Sequence, residues 1–145
     1  MLRASGSSLS GVGGQSGGTR VSTSQIISIV DDDESVRAAM ESLARSLGLV
    51  SFAFESAEDF LRSPQVSDSA CLITDVQMPG MSGLDLQDRL NAQGSRIPII
   101  FVTAFPEQAI RKRAEAGGAL ALLEKPFGGR TMIELLRRAL AAQSR

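Results

Sequence analysis

The stretch CLITDVQMPGMSG, residues 71–83, decides how the chain is interpreted. It begins with an apolar, strand-forming run that ends abruptly at Asp75, and a Pro-Gly turn signal follows. Ser82 and Asp85 have the spacing of a capping box, which predicts that a helix begins there. Buried strands of parallel sheets have this pattern, and ligand chemistry in such sheets lies beyond the carboxyl ends of the strands. Asp75 is therefore the predicted reactive centre.

The same alternation of strand, turn and helix recurs along the chain. Five apolar runs rich in β-branched residues are separated by segments whose apolar residues recur at helical spacing. Short connections of this kind require parallel strands with helices on both faces of the sheet. We expect strands at 26–30, 50–54, 71–75, 97–103 and 119–123, helices at 36–47, 56–61, 83–92, from 105 or 106 to 116, and 131–142, and a polar loop at 64–69.

Composition and charge exclude several classes of function. The apolar fraction of 43% and the charged fraction of 21% are those of an ordinary globular domain. A net charge of −1 gives no support for direct nucleic-acid binding, and no run approaches the roughly 18 apolar residues of a membrane span. The chain has no histidine, which excludes Ser-His-Asp hydrolysis, His-ligated zinc and an internal phosphohistidine relay.

The single cysteine, Cys71, lies within the central apolar run and cannot form an internal disulfide. We expect it to be a small buried hydrophobe in a reducing, cytoplasmic compartment. Residues 1–24 differ from the rest, because 13 of the 24 are Gly or Ser and none is acidic. This composition predicts a flexible tail at 1–24, followed by one folded domain at 25–145.

Reactive side chains end or follow four of the five predicted strands. Because the carboxyl ends of parallel strands meet at one edge of a sheet, we expect these groups to lie together. Crowded carboxylates repel one another unless a cation neutralises them, and oxygen ligands without His or Cys suit Mg²⁺. A carboxylate beside Mg²⁺ is a candidate nucleophile towards phosphorus. The groups are the carboxylates of Asp31, Asp32, Asp33 and Asp75, the hydroxyl of Thr103 and the ammonium group of Lys125.

Four motifs occur along the chain: IVDDD at 29–33, LITDVQMPGMSG at 72–83, FVTA at 101–104 and LEKPF at 123–127. In this order they resemble the receiver domain of two-component response regulators, over residues 25–142. The D-x-x-M-P-G-x-x-G loop and the K-P-F sequence are most similar to the FixJ-type subgroup. The resemblance implies a flavodoxin-like, CheY-like α/β fold: a (βα)5 three-layer sandwich with a parallel five-stranded sheet in the order 2-1-3-4-5.

The resemblance also implies a phosphoryl switch rather than a classical enzyme, since such domains only phosphorylate and dephosphorylate themselves. Asp75 would accept the phosphoryl group from a partner histidine kinase. Thr103 and Lys125 would contact that group, and the Lys125–Pro126 peptide bond is expected to be cis.

The same resemblance implies a magnesium site. Asp32 and Asp75 would bind Mg²⁺ together with the main-chain carbonyl of Gln77, and Asp31 would help through water. Asp33, at the edge of the site, either tunes metal affinity or caps the first helix.

For the output, the resemblance points to the face made by the fourth helix, the fifth strand and the fifth helix, which would contact a downstream protein or an output domain. One departure is Leu122, because the family usually has Phe or Tyr three residues before the lysine. The basic run 111–113 on the fourth helix is either a solvated face or a docking surface. The sequence does not decide whether phosphorylation produces a homodimer, or whether a DNA-binding output domain belongs to the protein.

Two other functions stay open at the level of sequence. A pseudo-receiver would bind partners without phosphorylation, and Leu122 keeps that alternative alive. An aspartate-nucleophile phosphohydrolase would use Asp31 as its nucleophile, since Asp31-x-Asp33 follows the first strand. Mapping the phosphorylated aspartate separates the enzyme from the switch, and partner binding by an Asp75→Asn variant tests the pseudo-receiver.

Overall fold

The computed structural model describes residues 25–143, in which five parallel strands form one sheet between two layers of helices. The strands are β1 (Ile26–Val30), β2 (Val50–Phe54), β3 (Cys71–Asp75), β4 (Ile99–Thr103) and β5 (Ala121–Glu124). The helices are α1 (Glu34–Ser46), α2 (Ala57–Leu61), α3 (Gln65–Asp68), α4 (Gly83–Ala92), α5 (Gln108–Ala116) and α6 (Gly129–Gln143). The strand order is β2-β1-β3-β4-β5, so the predicted fold class is confirmed. The tail predicted at 1–24 lies outside the described residues.

Alternate residues of each strand point to opposite faces of the sheet, and each face has its own apolar core. On the first face, α1 and α6 cover the sheet; on the second, α2, α4 and α5 do so. The first core includes Ile27, Ile29, Met40, Ile73, Ile100, Met132 and Leu136, and the second includes Val30, Phe60, Leu72, Leu86, Leu90, Phe101 and Ala114.

The central strand β3 holds Asp75, its last residue, in a fixed position. All five of its residues are buried, and it pairs with β1 on one side and β4 on the other. Cys71 is fully buried at its start, as expected for a small hydrophobe, and this burial raises the pKa of its thiol to about 12. Asp75 therefore stands at the end of a fully buried strand in the middle of the sheet.

The polar loop predicted at 64–69 is partly wrong, because it contains the short helix α3. The Ser67 N–H donates to the Pro64 carbonyl at 3.3 Å, and the Ser69 N–H donates to the Gln65 carbonyl at 3.0 Å. These local bonds form one helical turn in a segment without apolar periodicity. The described residues thus contain six helices rather than five, and the predicted fourth and fifth helices are α5 and α6.

Several other boundaries differ from prediction by one to three residues. Strands β4 and β5 begin two residues later than expected, and β5 ends one residue later. Helix α5 begins only at Gln108, since the residue before a proline avoids helical geometry and the Glu107 N–H bonds the Phe105 carbonyl at 2.8 Å. Helix α6 begins at Gly129. The Met132 N–H bonds the Gly128 carbonyl, so the helix is already formed at residue 131, where it was expected to begin.

Candidate functional site

Three carboxylates meet at the carboxyl edge of the sheet. Each of Asp31, Asp32 and Asp75 offers a carboxylate oxygen, and these oxygens all lie within 4.8 Å of one another. Asp31 and Asp75 are buried at the ends of β1 and β3, whereas Asp32 is exposed. The Asp31 N–H continues the ladder by bonding the Phe54 carbonyl of β2 at 3.1 Å. The convergence expected from parallel strands is therefore present.

Lys125 reaches this cluster from the end of β5. Its Nζ lies 3.0 Å from Asp31 Oδ2 and 3.5 Å from Asp75 Oδ1. The Lys125–Pro126 peptide bond is cis, as expected. Burial acts against the charge of the ammonium group, but its bonds to the two carboxylates outweigh burial and raise the pKa of Lys125. Residues 94 positions apart in sequence are thus joined by one charged pair.

Asp75 is the most perturbed acid of the cluster. Burial, followed by repulsion from the Asp31 carboxylate, raises its pKa from 3.8 to about 6. The charge of Lys125 acts in the opposite direction without cancelling the rise. An additional cation at this edge would favour the ionised form of Asp75.

Asp33 does not belong to the carboxylate cluster. It is the N-cap of α1, where its Oδ1 accepts hydrogen bonds from the main-chain N–H and the hydroxyl of Ser35. The bond from the Ser35 hydroxyl is the main cause of the lowered pKa of Asp33. Its own N–H donates to Asp31 Oδ1 at 2.9 Å. Of the two roles left open by the sequence, the structure supports the cap.

Arg37 is a support residue that sequence reasoning missed. It lies on the first turn of α1, and its NH1 donates to the Asp31 carbonyl at 2.7 Å. This bond fixes the main chain at the point where β1 turns into the acidic run. Its position four residues after Asp33 gave no signal that distinguished it from a solvated helical arginine.

Thr103 is fully buried at the end of β4, next to the strand that carries Asp75. It follows Val102, which lies opposite Asp75 in the sheet register. The Phe105 N–H donates to Thr103 Oγ1 at 3.1 Å, and the Lys125 N–H donates to the Thr103 carbonyl at 2.8 Å. Its main chain and side chain are therefore tied both to the β4–α5 loop and to the residue after β5.

The loop after Asp75 is tightly folded against β3. A Cβ atom at Gly83 would collide with the Asp75 carbonyl oxygen, so only glycine fits there. The Gly83 N–H also donates to the Val76 carbonyl at 2.8 Å, and the capping box of Ser82 and Asp85 is confirmed. Gln77 lies in this loop with an exposed side chain, and the role of its carbonyl stays a prediction.

Leu122 lies half-buried in β5, opposite Phe101 in the register, and packs against the core of the second face. Beside it, a groove of about 380 Å³ runs between α5 and β5. Arg111 and Lys112 of the basic run line this groove. Arg113, by contrast, forms ion pairs with α4, so the run does not act as one patch.

The cluster fits Mg²⁺ on the chemistry of its donors. Its three groups are all carboxylates, two of them buried where a cation would offset their repulsion. Neither a thiol nor an imidazole lies among them, which argues against zinc. Within residues 25–143, no helix is both long and apolar enough to cross a membrane.

Comparison with known proteins gives one consistent result. Residues 27–137 match the family described as the response regulator receiver domain. Over 132 residues the chain is 42% identical to nodulation protein W of Bradyrhizobium diazoefficiens, covering 91% of this chain and 57% of that protein. Over 114 residues it is 37% identical to the transcriptional regulatory protein FixJ of Azorhizobium caulinodans, covering 79% of this chain and 54% of FixJ. The chain thus spans about half the length of these relatives.

Solved structures agree with the sequence relatives. The crystal structure of FixJ-N has a TM-score of 0.73 and 33% identity, and the match covers 82% of this chain and 95% of that one. The structure of the response regulator StyR has a TM-score of 0.78 and 35% identity, covering 84% of this chain and 62% of that one. Both similarities extend over most of the described fold.

Proposed function

The chain belongs to the response regulator receiver domain family of two-component systems, and we propose that a partner histidine kinase phosphorylates it on Asp75. The observation that carries this proposal is the convergence of Asp31, Asp32 and Asp75 with Lys125 at one edge of the sheet. Neither a pseudo-receiver nor a phosphohydrolase gains support from the relatives.

In the proposed reaction, a carboxylate oxygen of Asp75 attacks the phosphorus of the kinase's phosphohistidine. An O–P bond forms as the N–P bond breaks, and the imidazole leaves with the electron pair of the broken bond. Lys125 already contacts Asp75 Oδ1, so its ammonium group is placed to bind the incoming phosphoryl oxygens. Attack requires the ionised carboxylate, which the raised pKa of Asp75 makes dependent on a nearby positive charge.

We assign a Mg²⁺ ion to the same edge, held by Asp32, Asp75 and the main-chain carbonyl of Gln77, with Asp31 acting through water. When bound, the ion neutralises charge on the phosphoryl oxygens. The residues of the chain prepare this site in advance. Gly83 allows the loop to lie against Asp75, and Arg37 fixes the main chain of Asp31.

The proposed output follows from the contacts of Thr103. A hydroxyl that turns to the phosphoryl group gives up the hydrogen bond from the Phe105 N–H, which loosens the loop leading into α5. The face of α5, β5 and α6 would then present a changed surface to a downstream protein or output domain. Hydrolysis of the acyl phosphate resets the switch. We place this relay in the cytoplasm, with no direct contact to nucleic acid or membrane.

Intact-mass spectrometry after incubation with acetyl phosphate and Mg²⁺ tests the proposal. We expect the wild type to gain one phosphoryl group and the Asp75→Asn variant to gain none. The matched control is Asp33→Asn, because Asp33 is a neighbouring exposed acid that caps α1 and lies outside the cluster. It should be phosphorylated like the wild type.

Two results would contradict the assignment. Phosphorylation that persists in Asp75→Asn means that another acid is the nucleophile, and Asp31→Asn is then the next variant. A wild type that gains no phosphoryl group, either from acetyl phosphate or from a panel of histidine kinases, would support a pseudo-receiver instead. Omission of Mg²⁺, with EDTA added, should abolish the gain.

A further inference from the structure

Glu58 forms a contact between α2 and the loop that follows the phosphoacceptor strand. Its Oε2 accepts a hydrogen bond from the Met81 N–H at 3.1 Å, across 23 positions of sequence. Glu58 is half-buried, and its helix is anchored by Phe60, which is fully buried in the second core. The Phe60 ring packs edge-on against Phe54, with ring centroids 5.5 Å apart. The carboxylate of Glu58 therefore projects from a fixed support.

The loop is shaped to receive this carboxylate. Gly80 has a φ of +77°, a conformation that favours glycine. A Cβ atom at Gly80 would lie 2.8 Å from Glu58 Oε2, so the carboxylate would have to move if this position carried a side chain. The glycine and the glutamate thus fit each other as a pair.

The contact acts at the part of the loop that has least other support. The Gly83 N–H bonds the carbonyl of Val76, which directly follows β3, and this bond fixes the first residue of the loop. The capping box of Ser82 and Asp85 fixes the other end, at the start of α4. Between these ends, in the described part of the chain, the bond from Met81 to Glu58 is the one hydrogen bond that ties positions 77–81 to another element. Gln77, with its proposed metal-binding carbonyl, lies in this span.

We propose that Glu58 is a positioning residue for the phosphorylation site, an inference that rests on the function proposed above. It lies outside the cluster of Asp31, Asp32 and Asp75, and acts through the main chain of Met81. By holding the tip of the loop, it restricts where the Gln77 carbonyl can lie. Groups that hydrogen-bond directly to a metal ligand change metal affinity by about 10- to 100-fold when they are removed, and we expect Glu58, which acts through the main chain of Met81, to lie at the low end of this range.

Two variants separate positioning from charge. Glu58→Ala removes the acceptor, whereas Glu58→Gln keeps an acceptor oxygen and loses the charge. Asp59→Ala is the matched control, since Asp59 is the next acid of α2 and pairs only with Arg62 of the same segment among the described residues. Circular dichroism establishes that each variant is folded before any comparison.

The first measurement is Mg²⁺ affinity by calorimetric titration without a phosphodonor. We expect the dissociation constant of Glu58→Ala to rise about 10-fold, while Glu58→Gln and Asp59→Ala stay within about 2-fold of the wild type. The second is hydrogen exchange at the Met81 amide in EDTA, which should be faster in Glu58→Ala and close to wild type in Glu58→Gln.

The possible results distinguish the role of Glu58 from the proposed function of the site. Equal Mg²⁺ affinity in Glu58→Ala and wild type would overturn the positioning role, and so would unchanged exchange at Met81. A Glu58→Gln variant as weak as Glu58→Ala would show that charge, not loop geometry, matters. A wild type that binds no Mg²⁺ would count against the proposed function, and exchange at Met81 would still decide whether Glu58 holds the loop.

Discussion

The two faces of the sheet are built differently. The first face is covered by α1 and α6, of 13 and 15 residues, which pack on the sheet through apolar side chains. The second face is covered by shorter helices, and the seam between α4 and α5 is polar. Four α4 residues bridge this seam by hydrogen bonds or ion pairs to Arg113, Ala114 or the Gly117 carbonyl: Asp85, Gln87, Asp88 and Asn91.

The two faces therefore differ in how firmly their helices are packed, and α5 and α6 show the contrast most clearly. Helix α5 buries a single residue, Ala114, whereas α6 buries Met132, Leu135, Leu136 and Ala139. Segments with few buried apolar contacts open at lower free energy than the core of a domain. Helix α5 is therefore the element that the proposed change at Thr103 would move most easily.

The largest expected effect on stability comes from truncating one apolar side chain in α6 and one in α5. Leu136 is buried to 1% exposure in α6, while Ile110 is half-buried in α5. We expect Leu136→Ala to lower the free energy of unfolding by about 3 kcal/mol and Ile110→Ala by about 1 kcal/mol, in proportion to burial. Urea denaturation followed by circular dichroism measures both. Equal losses would mean that α5 is packed as firmly as α6.

A second prediction adds a methyl group at the polar seam between α4 and α5. Gly117 has an ordinary φ, but a Cβ atom there would collide with the buried Gln87 side chain. We expect Gly117→Ala to cost about 1–2 kcal/mol, since overpacking displaces a buried group. The double variant with Gln87→Ala should cost less than the sum of the two single variants, because truncation makes room for the new methyl group. Additive costs in this mutant cycle would show that the two positions are not coupled.

A third prediction concerns the carboxylate cluster at the carboxyl edge of the sheet. Because burial raises the pKa of Asp75 from 3.8 to about 6, the folded protein keeps this proton where the unfolded chain has lost it. The stability from Asp75 is fully present below pH 3.8 and is lost as pH rises through about 6. In EDTA, wild type should lose stability relative to Asp75→Asn over this window, measured by urea denaturation at several pH values. A constant difference would mean that Asp75 does not titrate there.

The smallest effect is expected on the exposed side of the seam. Arg113 pairs with Asp85 and Asp88 at 3.0 and 2.7 Å, but all three side chains are about half exposed. Such pairs contribute at most about 1 kcal/mol, and less in high salt. Arg113→Ala should therefore shift the melting temperature slightly more than Arg111→Ala at low salt, and equally at high salt. A large, salt-independent loss would reveal a packing role for Arg113 instead.

The sequence predicted the sheet and the cluster of charged residues at its carboxyl edge, because both depend on local patterns. Strands β1, β2 and β3 and helix α4 lie at the predicted residues, since an apolar run followed by a turn or a cap leaves little choice. Asp31, Asp32, Asp75 and Lys125 then meet because parallel strands end at one edge. Geometry of this kind follows from topology alone.

What the sequence could not predict depends on contacts between distant segments. Glu58 has the sequence context of an ordinary first-turn acid, and its bond to Met81 exists only because α2 lies beside the β3–α4 loop. The bond from Gln87 of α4 to the Ala114 carbonyl of α5 likewise exists only because two separate helices pack together. Neither periodicity nor spacing carries such information, because each partner alone looks unremarkable in its own segment.

The buried thiol of Cys71 makes the protein its own reporter of opening. It is the single cysteine of the chain, it lies on the central strand, and its side chain is fully enclosed. An alkylating reagent can reach it only when that strand separates from its neighbours. The rate of alkylation, measured by mass spectrometry, thus reports unfolding without an engineered probe. Comparing this rate before and after incubation with acetyl phosphate and Mg²⁺ would measure how far the proposed phosphorylation changes the stability of the fold.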